Sequence, residues 1–275
     1  MSIKKSGLCG SVSLPRRESS EEKNAVPFGR RTGEKNMKIS LVIPIYNENS
    51  IIEDAIKTFS GYMASAFEDW ELIFVDDGST DGCAAAVNAA ASSNPHIRLC
   101  SYTPNRGKGY AVRTGMLSAE GDILLFTDCD NAYGTDALGK MISVFSDSEA
   151  DIVIGSRNLS KDGYEGYTFI RRLASKTYIK LIAFAAGFRL SDSQCGIKGF
   201  RRDAARRIFT NCEVDRFAFD LEVIMIANKL GYRIEEMPVK IVNHRESKVN
   251  VLRDSVKMLR DVRRMKKRIK KQDFQ

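Results

Sequence analysis

An apolar run, Asp122-Ile123-Leu124-Leu125-Phe126-Thr127, opens directly into Asp128-Cys129-Asp130. Side chains two apart share one face of an extended chain, so both carboxylates can offer oxygens to one hard divalent cation, which would also take diphosphate oxygens and water. Two acids with no partner beside so apolar a run are costly unless exposed or metal-bound. The plainer alternative is a polar loop after a strand. Two more acidic turns stand nearer the N-terminus, Pro44-Ile45-Tyr46-Asn47-Glu48 and Asp76-Asp77-Gly78-Ser79-Thr80-Asp81. Carboxylates there can accept from a ribose diol or a pyrimidine N–H, and Tyr46 offers a ring face to a base. Ser79-Thr80-Asp81 equally suits an ordinary helix start. Asn105-Arg106-Gly107-Lys108-Gly109 joins glycines and a cation to the start of a helix, a combination suited to anions or to a simple turn. It lacks the GxxxxGK[ST] spacing of a P-loop.

Short β-branched runs alternating with helical stretches must position these residues. Lys38-Pro44, Glu71-Val75, Ile97-Tyr102, Asp122-Thr127 and Asp151-Ile154 read as strands, and Ser50-Ala66, Asp81-Ser92, Gly109-Ala119 and Asp136-Phe145 as helices. Strands apolar on both faces and separated by helices imply an α/β fold, a mostly parallel sheet covered on both sides. Ligands of such sheets bind at the carboxyl ends of the strands, where all four motifs lie. Further on, the pattern predicts a helix over Phe169-Phe188, a strand at Gly196-Phe200, helices near Asp203-Phe209 and Phe219-Leu230, and a strand at Arg233-Val242. In Val249-Ile269, Leu252, Val256, Leu259, Val262, Met265 and Ile269 fall at steps of three or four, an apolar helical stripe flanked by Lys and Arg.

With 43 Lys+Arg against 35 Asp+Glu the 275 residues carry +8, and 43% hydrophobic with 28% charged residues excludes disorder throughout. The charge is unevenly placed. Residues 1–36 hold 8 basic and 4 acidic side chains, residues 37–243 hold 23 and 27, and residues 244–271 hold 12 and 3. Residues 1–36, polar and without apolar period, are expected to form a disordered basic tail, 37–248 one large α/β domain, and 249–275 a separate basic amphipathic helix. No window approaches the roughly 18 apolar residues of a spanning helix, and the N-terminus lacks the apolar centre of a signal peptide. A cytosolic location follows as an expectation. Six scattered cysteines without a CxxC pair disfavour a zinc site or a disulfide framework.

In order and spacing, PIYNE, VDDGSTD, NRGKGYAVRTG, TDCD, GSR and DSQCGIKGFRRD resemble the motif series of family-2 glycosyltransferases, which have the Rossmann-like GT-A fold. Within that family they are most similar to the dolichyl-phosphate sugar synthases, over roughly Lys38 to Lys266. The resemblance implies that Pro44, Tyr46, Glu48 and Asp76 hold a nucleoside with Lys108 nearby, and that Asp128 and Asp130 hold Mg or Mn on the diphosphate. It implies that Arg157 of GSR, and Arg171 with Ser175, bind an acceptor phosphate. Asp192 is then a base or a sugar-orienting carboxylate, Gln194 contacts the sugar, and Arg245 and Lys248 of HRESK close over the diphosphate. Ala132 stands where mannosyl-transferring relatives commonly carry Gln or His. That position, Val214–Glu222 and Ser247-Lys248 resemble the glucosyl branch, implying UDP-glucose as donor with GDP-mannose as the alternative. Asn131–Thr135 departs from that branch in lacking its charged residue and Pro.

The implied acceptor is a polyprenyl or dolichyl phosphate. The protein is therefore expected to sit peripherally on the cytosolic face of a membrane, through the last helix and, more shallowly, Tyr178–Phe188. Packing of the stripe against the domain is the alternative. Two rival readings remain, a glycosyltransferase with a soluble sugar acceptor, which would need a true base at Asp192, and a non-catalytic binding module. Nucleic acid is not expected as a partner, because Phe274 alone is aromatic in the basic C-terminal segment.

Overall fold

The alternation of side chains along each strand decides this architecture. In β1 (Ile39–Ile45) Leu41 and Ile43 face one way and Val42 the other, and all three are fully buried. The same division holds for Leu72 and Phe74 against Ile73 and Val75 in β2 (Trp70–Asp76), and for Leu125 against Leu124 and Phe126 in β4 (Ile123–Phe126). A sheet apolar on both faces needs a helical layer on each.

The computed structural model describes residues 37–163, 187–243 and 251–274, with side chains of the last stretch from Arg260 onward. On one face lie α1 (Ile52–Ala66), α2 (Cys83–Ser93) and α4 (Asp136–Asp147). On the other lie α3 (Lys108–Ser118), α5 (Arg202–Thr210), α6 (Phe219–Lys229) and the end of α7 (Val251–Lys271). With β3 (Ile97–Ser101), β5 (Ile152–Ser156), β6 (Lys198–Arg201) and β7 (Ile234–Pro238), the described strands form one sheet in the order β3-β2-β1-β4-β6-β5-β7. Every pair is parallel except those of β6, which runs antiparallel to both β4 and β5. β7 is shorter than the expected Arg233-Val242 and ends at Pro238, which brings no N–H to a ladder.

The last helix differs most from expectation. Val262, Met265 and Ile269 do not face outward: they are 1%, 3% and 5% exposed and belong to the core cluster that includes α5 and α6. Over this half the stripe packs against the domain rather than forming a separate membrane-facing element. The Lys229 ammonium donates to the Ile269 carbonyl at 2.6 Å, and Arg268 pairs with Glu213 and Glu222. Arg260, Arg263, Arg264, Lys266, Lys267, Lys270 and Lys271 remain exposed. The side chains of Leu252, Val256 and Leu259, and Tyr178–Ala186 of the expected second insertion, lie outside the described residues, while Phe188 is buried in the core.

Candidate active site

The strand order brings the acidic motifs together. β1 pairs with β2 on one side and β4 on the other, all parallel, with Ile45 opposite Asp76 and Val42 opposite Phe126. Chain direction therefore delivers Pro44–Glu48, Asp76–Asp81 and Asp128–Asp130 to one edge of the sheet, at the point where strand order reverses. β3 delivers Asn105–Lys108 to the same edge. Antiparallel β6 contributes its beginning. Phe126 is opposite Lys198, so two residues further along the ladder Asp128 meets Gly196, where an added Cβ would fall 2.3 Å from Asp128 Oδ2.

A cavity of about 450 Å³ occupies this edge. Glu48, Asp128, Asp130 and Lys108 line its polar side, and Pro44 and Tyr46 lie at the β1 exit. Arg216 and Phe217 complete it. Tyr46 and Phe217 are 48% and 63% exposed, rings left in water at the rim of a site sized for a small molecule.

The residues fit a divalent cation. Lys108 Nζ forms an ion pair with Asp128, so an ammonium already stands beside a carboxylate of the pair. Burial pulls the Lys108 ammonium's pKa down, but Asp128, Asp220 and Asp130 outweigh this and raise it overall. Cys129, between the two acids, is buried, and burial together with the neighbouring carboxylates pushes its thiol well up. The donor set is thus oxygen only, as Mg or Mn prefers. Among the described residues no group of three or more His, Cys, Asp or Glu has metal-binding geometry, so further ligands would come from a bound diphosphate and water.

The second acidic turn organises the first. Asp76, 2% exposed, accepts from the Ser79 N–H at 2.9 Å and Ser101 Oγ at 2.8 Å and does not line the cavity. Its neighbour Asp77 does, while accepting from the Arg106 and Gly107 N–H groups, each at 2.7 Å, and from Asn105 Nδ2. Ser79, Thr80 and Asp81 stitch down the loop after Tyr46: Asn47 N–H donates to Ser79 Oγ, Thr80 N–H to Asn47 Oδ1, and Asn49 N–H to Asp81. Gly107 has φ +112°, and a Cβ there would meet the Asp215 carbonyl at 2.7 Å. The loop 212–217 that brings Arg216 and Phe217 to the cavity is pinned by the same segment. Arg106 and Arg113 each bind the Asp215 carboxylate, and Tyr110 N–H binds its carbonyl.

Beyond Gly196 lies Arg157, just after β5. Asp192, fully buried, accepts from Arg157 Nε at 2.6 Å, from its NH2 at 2.8 Å and from its backbone N–H at 3.1 Å. This carboxylate is committed to orienting a guanidinium. Glu236 of β7 in turn holds the Ser191 and Asp192 N–H groups. Tyr133 joins the two ends of the site, its hydroxyl accepting from Gly196 N–H at 3.1 Å. Gln194 is partly buried in the same loop.

Arg171, Ser175, Arg245 and Lys248 lie outside the described residues. The chain leaves for 244–250 from beside the acidic pair, where Asn243 Nδ2 donates to the Asn131 carbonyl at 3.0 Å. The sequence singled out no individual role for Phe217, Lys198 or Asp220, and named Asp77 and Asn105 only as members of their turns. A signal existed for Lys198, a cation inside the otherwise uncharged Gly196–Phe200 run, and for Phe217, an aromatic between Arg216 and a helix start. Nothing local distinguished Asp77 from Asp76.

A covered α/β sheet with two strand-end carboxylates and a cation at its switch point is the arrangement of the GT-A class of glycosyltransferases. The profile of Glycosyl transferase family 2 matches residues 40–209, and the chain belongs to that family. A dolichyl-phosphate beta-glucosyltransferase of Dictyostelium discoideum is 31% identical over 243 residues, covering 84% of this chain and 74% of the relative. That of Saccharomyces cerevisiae is 31% identical over 265 residues, covering 88% and 78%. Among solved structures, glucosyl-3-phosphoglycerate synthase from Mycobacterium tuberculosis, in complex with Mn2+, UDP and glucosyl-3-phosphoglycerate, matches with a TM-score of 0.60 at 20% identity, covering 88% of this chain and 86% of that one. The likeness establishes the fold.

Proposed function

We propose that this glycosyltransferase moves glucose from UDP-glucose to a polyprenyl phosphate of the dolichyl type, inverting the anomeric carbon. One observation carries the reading. The acidic pair, its lysine and a part-buried, carboxylate-oriented arginine stand along one edge of the sheet, so a diphosphate and a second phosphate can be held side by side. The similarity to dolichyl-phosphate beta-glucosyltransferases supports the sugar and the lipid.

Asp128 and Asp130 would hold a divalent cation, which when bound would supply charge neutralisation for the leaving nucleoside diphosphate. The protein's own groups do the rest. Tyr46 and Phe217 bracket the base at the rim, and Asp77 fixes the loop that carries Lys108. Asp192 sets the plane of the Arg157 fork before an acceptor phosphate arrives, leaving less ordering to be done on binding. A lipid phosphate, with a second pKa near ~6, is mostly ionised at neutral pH and needs no strong base. The engagement of Asp192 with Arg157 supports this acceptor over a sugar hydroxyl. No helix among the described residues is long and apolar enough to cross a membrane. The exposed cations of α7 supply attraction to an anionic lipid surface, where the acceptor resides.

The test is to incubate the protein with Mg2+ or Mn2+, a short-chain polyprenyl phosphate and a panel of UDP- and GDP-sugars. Glucosyl phosphoryl polyprenol from UDP-glucose is expected. Product only from GDP-mannose, or only with a soluble sugar acceptor, would overturn the proposal.

A further inference from the structure

Beneath the acidic pair lies a second buried ion pair with no place in the chemistry above. Lys198, fully buried in β6, donates to Asp220 Oδ1 at 2.5 Å and to the Cys195 carbonyl at 2.7 Å. Asp220, 7% exposed, stands in the first turn of α6. A buried ion pair is weak evidence for a stabilising role, since two apolar residues of similar volume commonly do as well. Its position is more informative. Lys108 begins α3, and the next residue, Gly109, lies against α6, where an added Cβ would be 2.6 Å from Phe219 Cβ. The starts of α3 and α6 therefore touch, with Lys108 on one and Asp220 on the other. After Asp128, Asp220 is the carboxylate that acts most strongly on the Lys108 ammonium. Lys198 binds Asp220 through Oδ1, and no hydrogen bond in the described structure engages Oδ2.

We infer that Lys108 is an exchangeable placeholder, holding Asp128 until a divalent cation arrives and then passing to Asp220, which Lys198 keeps in position to receive it. The inference rests on Asp128 and Asp130 being the cation's ligands. Physically, an ammonium and a dication on one carboxylate repel each other at short range, so they compete for Asp128. Entry of the metal weakens the hold of Asp128 on Lys108, and an ammonium left without a carboxylate in a partly buried site is costly. Asp220 removes that penalty. Asp220 and Lys198 are on this view positioning residues, acting through Lys108.

The experiment is a Mn2+ titration of the full chain without nucleotide or acceptor, reading free Mn2+ by its electron paramagnetic resonance signal. Lys108→Met should tighten Mn2+ binding about tenfold by removing the competitor. Asp220→Asn should weaken it about tenfold in the parent chain but have little effect in the Lys108→Met background, because there is no ammonium left to receive. Should Asp220→Asn fail to fold with Lys198 unpaired, the double change Lys198→Met/Asp220→Leu removes both buried charges and should show the same dependence on Lys108. An equal loss in both backgrounds would mean that Asp220 acts only as a distant negative charge, and would overturn the exchange. So would the absence of saturable binding in both the parent chain and Lys108→Met. Asp130→Asn separates the two readings. If it leaves Mn2+ binding intact, the ligand assignment itself fails. If it abolishes binding while the Lys108 and Asp220 variants bind like the parent, only the exchange fails.

Discussion

The strand-end site and the C-terminal helix both carry cations but arrange them in opposite ways. At the strand ends Lys108 is paired with Asp128, and Arg157, just after β5, with Asp192 at two points. On α7 the apolar residues Val262, Met265 and Ile269 are buried, while the cations beside them stand exposed. A two-point pairing such as that of Arg157 with Asp192 fixes a charge in space, which suits the positioning of an anionic reactant. Exposure leaves it long-ranged and salt-sensitive, which suits attraction to a surface. The regions meet at Glu222. This fully buried carboxylate accepts from Arg268 of α7 and from the Glu213 and Val214 N–H groups, at the base of the loop bearing Arg216 and Phe217.

The largest expected effect breaks the cavity side of the comparison alone. Asp130→Asn should lower transfer at least about 10³-fold, since a Lewis-acid ion supplies several kcal/mol of transition-state stabilisation. Its melting temperature should match the parent's, because Asp130 sits in a partly exposed loop. Turnover within a factor of a few of the parent would remove the metal role from this residue.

Breaking the helix side should do the reverse. Met265→Ala leaves a cavity among α5, α6 and α7 and should cost about 3 kcal/mol of stability, as for other buried Met or Leu truncations. Below the transition kcat should be retained. Denaturant melts with parallel activity assays test both halves of the statement, and a helix that merely rests on the domain would show no loss.

Much of the fold was legible because period-2 burial on both faces and helical spacing are local properties. Each described strand overlaps its expected range, and the four strand-end motifs meet at one edge because a parallel sheet requires it. What escaped the sequence depended on partners far along the chain. Asp76 and Asp77 are adjacent acids, and only the arrival of Asn105–Gly107 decides which one lines the cavity. Asp192 reads in the sequence as a base or a sugar-orienting carboxylate, and only the fold brings Arg157, 35 residues away, onto both its oxygens. The stripe of α7 has the same periodicity whether it meets lipid or protein, so only the packing of α5 and α6 against it could decide.

Between the two regions, Arg268→Met should cost about 2 kcal/mol, less than a fully buried pair would, since the Arg268 side chain keeps 21% exposure. Because Glu222 also holds the 213–214 backbone, UDP affinity should fall several-fold together with stability. A variant that loses stability but binds UDP like the parent would show the helix and the loop to be independent.

The smallest effect tests the exposed face itself. Lys270→Gln removes one cation and no buried contact, so neither melting temperature nor turnover on a detergent-dispersed acceptor should change. Binding to vesicles containing anionic lipid should weaken by about 1 kcal/mol, roughly fivefold. Arg263→Gln should act alike, and the two together additively, because attraction to a charged surface sums over cations instead of requiring one geometry. Raising the salt should narrow the difference between parent and variant. A specific headgroup site would give the opposite pattern, one cation accounting for nearly all the binding and the other for none. Equal, additive and salt-sensitive losses would mark α7 as a surface that holds the enzyme near its acceptor while the Asp192-oriented Arg157 does the positioning.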